Sequence, residues 1–107
     1  MKKFKVQIEP EALTDIQEIT DWYNEQQSGI GTKFQKATIN HINSLNKDPH
    51  RYSIRYNQIR CGLVRKFPYM SHFYINEESR TVEVLAVIST KRNPEIWKLK
   101  TSGRTSS

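Results

Sequence analysis

Between Thr81 and Ser89 the chain carries apolar side chains at both parities, Val82, Val84, Ala86 and Ile88 on one and Leu85 and Val87 on the other. A strand alternates its side chains across the sheet, so a segment that is apolar on both sides must be covered on both sides. This requirement makes 81–89 a central strand and obliges the rest of the chain to supply its neighbours and covering layers. A chain of 107 residues has one domain with which to do so. Such a domain buries about two-thirds of the surface its unfolded chain exposes, enough for one modest core but not for a deep substrate cavity.

The covering layer is written in the first half. Phe4, Val6 and Ile8 alternate with Lys5, Gln7 and Glu9, which predicts a strand with one buried face. Glu9-Pro10-Glu11 then changes the period. Proline suits a first helical turn, and the early acids Glu11 and Asp15 suit the helix dipole there. Ala12, Leu13, Ile16, Ile19 and Tyr23 recur at helical steps to about residue 25, with Trp22 widening the stripe. Ser28-Gly29-Ile30-Gly31 breaks that helix, and a second follows with Phe34, Thr38, His41, Ile42 and Leu45 near one face. It ends before Asp48-Pro49, because a residue preceding proline is pushed out of the helical region. Two helices joined this closely predict an antiparallel hairpin.

Further strands are expected at Cys61–Phe67, Tyr69–Ile75 and Thr81–Ser89, with a polar turn at 76–79. Arg51 to Ile59 reads equally as a short strand or an ordered loop. Lys91 to Trp97 leads into a short helical turn. The Ser/Thr-rich stretch 101–107 reads as a disordered tail, leaving 1–100 as the single domain. The order is β-α-α-β-β-β, an α+β arrangement with a helical hairpin packed on an antiparallel sheet.

Composition narrows the function classes. Hydrophobic residues make up 36% and charged residues 26%, a globular profile and not a disordered one. No apolar run approaches the ~20 residues needed to span a bilayer, and the N-terminus has no signal-peptide centre, so a cytoplasmic protein with no membrane partner is expected. One cysteine, Cys61, excludes an internal disulfide, and the three histidines show no ligand spacing with it. We expect no metal and no cofactor, and read Cys61 as a small core filler. Residues 1–46 hold five Lys/Arg against six Asp/Glu, whereas residues 47–107 hold twelve against five. The net charge of +6 is thus concentrated in the second half, as on a face that meets nucleic acid or an acidic protein, or on a surface that merely keeps the chain soluble.

Four stretches, taken together over roughly residues 3–98, resemble the RelE/ParE toxin superfamily. They are the helix Ala12 to Ile19 followed by Trp22-Tyr23; Ile42-Asn43-Ser44-Leu45 leading to Pro49; Ile59-Arg60 with Phe67-Pro68-Tyr69 and Phe73-Tyr74-Ile75; and Val84 to Ile88 closing with Lys91-Arg92-Asn93-Pro94-Glu95-Ile96-Trp97. The resemblance implies the toxin of a type II toxin–antitoxin pair, neutralised by a cognate antitoxin whose C-terminal segment wraps it. RelE-like members are ribosome-dependent, metal-independent mRNA endoribonucleases, and ParE-like members inhibit DNA gyrase. Phe67-Pro68-Tyr69 and the Arg92 to Trp97 ending are closer to the ParE or plasmid-stabilisation branch. A basic RNA-binding module with no toxicity is the third alternative.

Cleaving RNA through its own 2′-hydroxyl needs a base, cations for the phosphate and an acid for the leaving oxygen. The resemblance puts Arg92 at the position of a late catalytic arginine, and its planar fork suits a phosphate. The tyrosine of the nuclease pattern is Trp97 here, and an indole N–H does not titrate usefully. His72, on one strand face with Met70 and Tyr74, is the residue able to supply the missing titrating group, or else a half-exposed sheet histidine. His72 and Arg92 are therefore the candidate catalytic residues should the chain be a nuclease. Arg60, Arg65 and Trp97 are the candidates for binding target or nucleic acid, with Trp97 either stacking on a base or sealing the core. By strand alternation Arg65 and Lys66 point to opposite faces. His41 reads as a packed, hydrogen-bonded residue.

Overall fold

The computed structural model describes residues 3–104. β1 (Lys5–Ile8) leads into α1 (Pro10–Gln26) and α2 (Ile30–Ser44). A single 3-10 turn at Pro49–Arg51 precedes β2 (Ile54–Tyr56), β3 (Ile59–Leu63), β4 (Tyr69–Asn76) and β5 (Thr81–Ser89), and α3 (Pro94–Thr101) follows. The strands form one sheet in the order β1-β5-β4-β3-β2. The class and element order are those expected, but the sheet is mixed: β1 pairs parallel with β5, and the remaining pairs are antiparallel. The reason is parity. Every connection from β1 to β5 reverses the chain, and an even number of reversals returns β5 to the direction of β1. The helical hairpin and the meander together make the long crossover that a parallel pair requires.

Phe34, Ile42, Leu45, Ala12 and Ile16 pack against Phe73, Ile75, Val82, Val84 and Val87 to form the main core. Trp22 does not join it. It is 53% exposed and touches the edge of Tyr23, while Leu13 is 50% exposed, so the buried stripe of α1 is narrower than its apolar pattern. The segment 51–59 resolves as a strand and a tight turn, in which Asn57 and Gln58 both take positive φ, 43° and 65°. Two such residues match the twist of a β-hairpin. The strand expected to run to Phe67 stops at Leu63, where Val64 N–H donates to the Tyr69 carbonyl and Lys66 turns left-handed at φ 71°. The opposite-face assignment of Arg65 and Lys66 therefore lapses, because neither lies in a strand.

Two departures concern β5. Its register against β4 runs from Tyr69↔Ser89 to His72↔Ala86 and resumes at Phe73↔Val84, leaving Leu85 as an extra residue. A bulge of this kind breaks the alternation. Val82, Val84 and Val87 face the helices, and Ala86 and Ile88 face α3, so Val84 and Ala86 do not share a face as strict period two requires. Beyond Val84, where β1 ends, side chains take over from a strand. Asp15 Oδ2 accepts from Val87 N–H at 3.1 Å, and Arg104 Nη1 donates to the Leu85 carbonyl at 2.9 Å. Asp15, 5% exposed, also holds Lys100 at 3.1 Å and Arg104 at 3.4 Å. Its role is thus to pair the edge of β5, not to serve the α1 dipole.

The C-terminal element is a full helix. Asn93 Oδ1 caps it by accepting from Glu95 N–H at 2.9 Å, with Pro94 in the first turn. Thr101 is buried at its end and Arg104 is bound to Asp15, so residues 101–104 are ordered where a tail was expected; 105–107 lie outside the described residues. Among the described residues no helix is long and apolar enough to cross a membrane.

Gly31 sets how closely α1 and α2 approach. Its N–H donates to Asn24 Oδ1 at 2.8 Å, and a Cβ there would lie 2.1 Å from the Thr20 carbonyl oxygen. Backbone cannot yield as a flexible side chain can. Gly31→Ala should therefore destabilise the fold by about 2 kcal/mol or more, read as a lowered urea midpoint with an unchanged slope.

Candidate functional site

The sheet face opposite the hairpin is where β4 and the end of β5 meet α3. Cys61 on β3 and Ala86 on β5 stand opposite His72, and the edge of the Trp97 ring closes over it, with centroids 5.1 Å apart. Tyr56, brought across by the hairpin, is hydrogen-bonded through its hydroxyl to His72 Nδ1 at 2.8 Å and to Thr101 Oγ1 at 3.3 Å. Cys61 Sγ lies 3.4 Å from the same ring nitrogen. Arg55 caps the assembly, its guanidinium 5.4 Å from the Trp97 ring.

Burial decides the charge state of this cluster. His72 has no exposed surface, and burial, reinforced by the charges of Arg55 and Lys100, pushes its pKa down to about 4. Burial also pushes the Tyr56 hydroxyl up to about 12 and the Cys61 thiol up to about 11. At neutral pH all three are uncharged. A neutral histidine with one ring nitrogen engaged and a tryptophan over it is a packed polar pair.

The residues singled out in the sequence are dispersed. Arg92 lies beyond β5, on a cleft of about 330 Å³ lined also by Asp15, Glu18, Tyr69 and Lys100; His72 does not line it. Arg60 is occupied structurally, its Nη1 donating to the Tyr52 carbonyl at 2.6 Å and the His50 carbonyl at 3.4 Å, which ties β3 to the 3-10 turn. Trp97 is 7% exposed and packs against His72 and Tyr56. Arg65 alone borders a larger space, a groove of about 1080 Å³ between α2 and the turn after β3, together with Lys33, Arg51, Tyr52, Leu63 and Lys66. His41 lies in its wall, Nε2 bonded to Ser71 Oγ at 2.6 Å, and burial lowers its pKa.

Sequence reasoning missed Tyr56, Arg55 and the grouping of Lys33 and Arg51 with Arg65. The first two sit on a strand too short to show a period, and the last depends on where a turn folds back. Among the described residues no group of His, Cys, Asp or Glu is arranged to hold a metal ion.

Residues 6–94 match the family described as ParE toxin of type II toxin-antitoxin system, parDE. Among solved structures, the chain resembles one from the chromosomal ParDE system of P. aeruginosa, with a TM-score of 0.72, 13% identity, and 80% of this chain and 95% of that one covered. A mutant of the E. coli toxin RelE in the free state gives a TM-score of 0.67, 14% identity, and 92% and 93% coverage. The RelBE2 toxin–antitoxin complex of Mycobacterium tuberculosis gives 0.62, 18% identity, and 83% and 93%. At these identities the likeness is one of fold. A comparison with curated proteins finds no match.

The buried histidine makes a prediction about pH. Unfolded, it takes up a proton near pH ~6.5, but folded it does so only at about 4. Between those values the unfolded chain binds more protons, so the stability tied to the neutral ring is full above ~6.5 and falls as the pH drops toward ~4. His41, lowered in the same direction, adds to it. The unfolding free energy from urea titration should fall between pH ~7 and ~5, by up to about 1 kcal/mol per pH unit from His72, and His72→Phe should flatten that slope.

Proposed function

We propose that this chain, which belongs to the ParE toxin family of type II toxin–antitoxin systems, arrests growth by binding its target and does no chemistry of its own. The single observation that carries this reading is the state of the α3-covered sheet face. There His72 is buried and neutral, Tyr56 holds its proton up to about 12, and Trp97, which the resemblance sets at the nuclease tyrosine position, is buried against them. An RNA-cleaving site needs a titrating group within reach of the 2′-hydroxyl and another near the leaving oxygen. Arg92 remains as a cation, yet a cation alone holds a phosphate without moving a proton.

The target we infer is DNA gyrase, the one implied by the ParE resemblance, and growth inhibition follows from stalled supercoiling. A cognate antitoxin is the partner. The P. aeruginosa ParDE neighbour is a toxin–antitoxin system and the RelBE2 neighbour is a toxin–antitoxin complex, which supports the same arrangement here.

The purified protein should inhibit supercoiling by gyrase in a plasmid assay while leaving mRNA on translating ribosomes uncut. Site-specific cuts in ribosome-bound mRNA, abolished by Arg92→Ala, with supercoiling untouched, would show the RelE-type activity instead.

A further inference from the structure

The groove beside α2 gathers cations that the fold does not use. Lys33 comes from α2, Arg51 from the 3-10 turn, and Arg65 and Lys66 from the turn after β3. No carboxylate lines the same space, and none of the four is in an ion pair among the described residues. Like charges collected from three elements repel one another, a cost that a bound anion removes.

Two local features hold these charges in place. Arg51 lies against the Tyr52 ring, its guanidinium 5.3 Å from the centroid, and Tyr52 is itself held by edge contacts with His41 and Phe73. A guanidinium stacked in this way loses less freedom when it meets an anion. Phe67 N–H donates to the Val64 carbonyl at 3.3 Å, closing a four-residue turn with Arg65 and Lys66 at its centre. Lys66 takes φ 71° at the third position, where glycine or asparagine is the usual occupant. Strain accepted by a lysine that makes no ion pair is a pointer to a ligand contact.

We propose that the groove is a binding site for a small polyphosphate, a short run of phosphoanhydride-linked phosphates either free or carried by a nucleoside. The planar forks of Arg51 and Arg65 suit phosphate oxygens, and Lys33 and Lys66 act as point charges beside them. A condensed ligand meets cations that surround one space of about 1080 Å³. A nucleic-acid strand instead sets single charges along a line that leaves the groove at both ends. Ala37, half-buried Tyr52 and half-buried Phe67 also border the space and offer a nucleoside base an apolar surface. The site requires neither a gyrase target nor an antitoxin, so it goes beyond the toxin reading.

Sodium tripolyphosphate is the probe, titrated calorimetrically into the full-length protein in about 0.15 M salt without divalent cations. It should bind saturably, one per chain, and at least about tenfold more tightly than orthophosphate. Arg65→Glu/Lys66→Glu should weaken it by about tenfold or more. Lys33→Glu, on a different element, should weaken it in the same direction, which guards against misfolding of the turn variant. Lys91→Glu makes the same change of net charge at an exposed position that does not line the groove, and should leave binding within about twofold. ATP separates the two sources: tighter binding than tripolyphosphate assigns the site to a nucleotide, and equal or weaker binding to the inorganic chain. The proposal is overturned if tripolyphosphate does not saturate, or if Lys91→Glu weakens it as much as the groove variants do. It is equally overturned if a single-stranded oligothymidylate of equal charge binds more tightly and the groove variants abolish that binding.

Discussion

The extra residue in β5 governs how the two faces of the sheet are used. With strict alternation, Val82, Val84, Ala86 and Ile88 would all lie under the helical hairpin, and Leu85 and Val87 would be the apolar residues left for the far face. Leu85 opposite the His72/Phe73 step divides the strand instead. The first half of β5 serves the hairpin, and Ala86 and Ile88 are delivered to Trp97. The bulge needs support because it lies where β1 has ended. Asp15 and Arg104 supply it by bonding the backbone on either side of Ala86. That buried carboxylate joins α1, β5 and the residues after α3, and removing it would orphan a backbone donor together with two cations.

What the residue pattern conveyed, and what it did not, follows from the range of the interactions involved. The hairpin, the strands and their order rest on local periodicities, and these were legible in Phe4 to Ile8, in Ala12 to Tyr23 and in 69–75. Proline and glycine marked the breaks. The parallel pairing of β1 with β5 follows from counting chain reversals, which no window of residues displays. The bulge was invisible because Val84, Leu85 and Ala86 are all apolar, and hydrophobicity cannot show which of three successive apolar residues is the extra one. Asp15 read as a dipole acid because its real partners, Val87, Lys100 and Arg104, lie at least 72 residues away.

The candidate site was legible in part. The sequence drew attention to His72 and to Trp97 at the nuclease tyrosine position, and the two are in ring contact. Burial was the missing quantity. A half-exposed histidine and one sealed beneath an indole have the same one-letter code, and the difference lies in α3, which extends to Thr101 where only a helical turn was expected. Arg65 and Lys66 show the opposite error, since strand alternation separated two cations that a turn brings to one groove.

The face beneath α3 is sealed within the fold, and its histidine is held neutral there. The imidazole nitrogen and carbon shifts of His72, followed by NMR across pH ~8 to ~5, test it most directly. We predict a neutral ring throughout, with protonation beginning only as the pH approaches about 4. A midpoint near the free-histidine value of ~6.5 would mean that solvent reaches His72, and the non-catalytic reading would be contradicted.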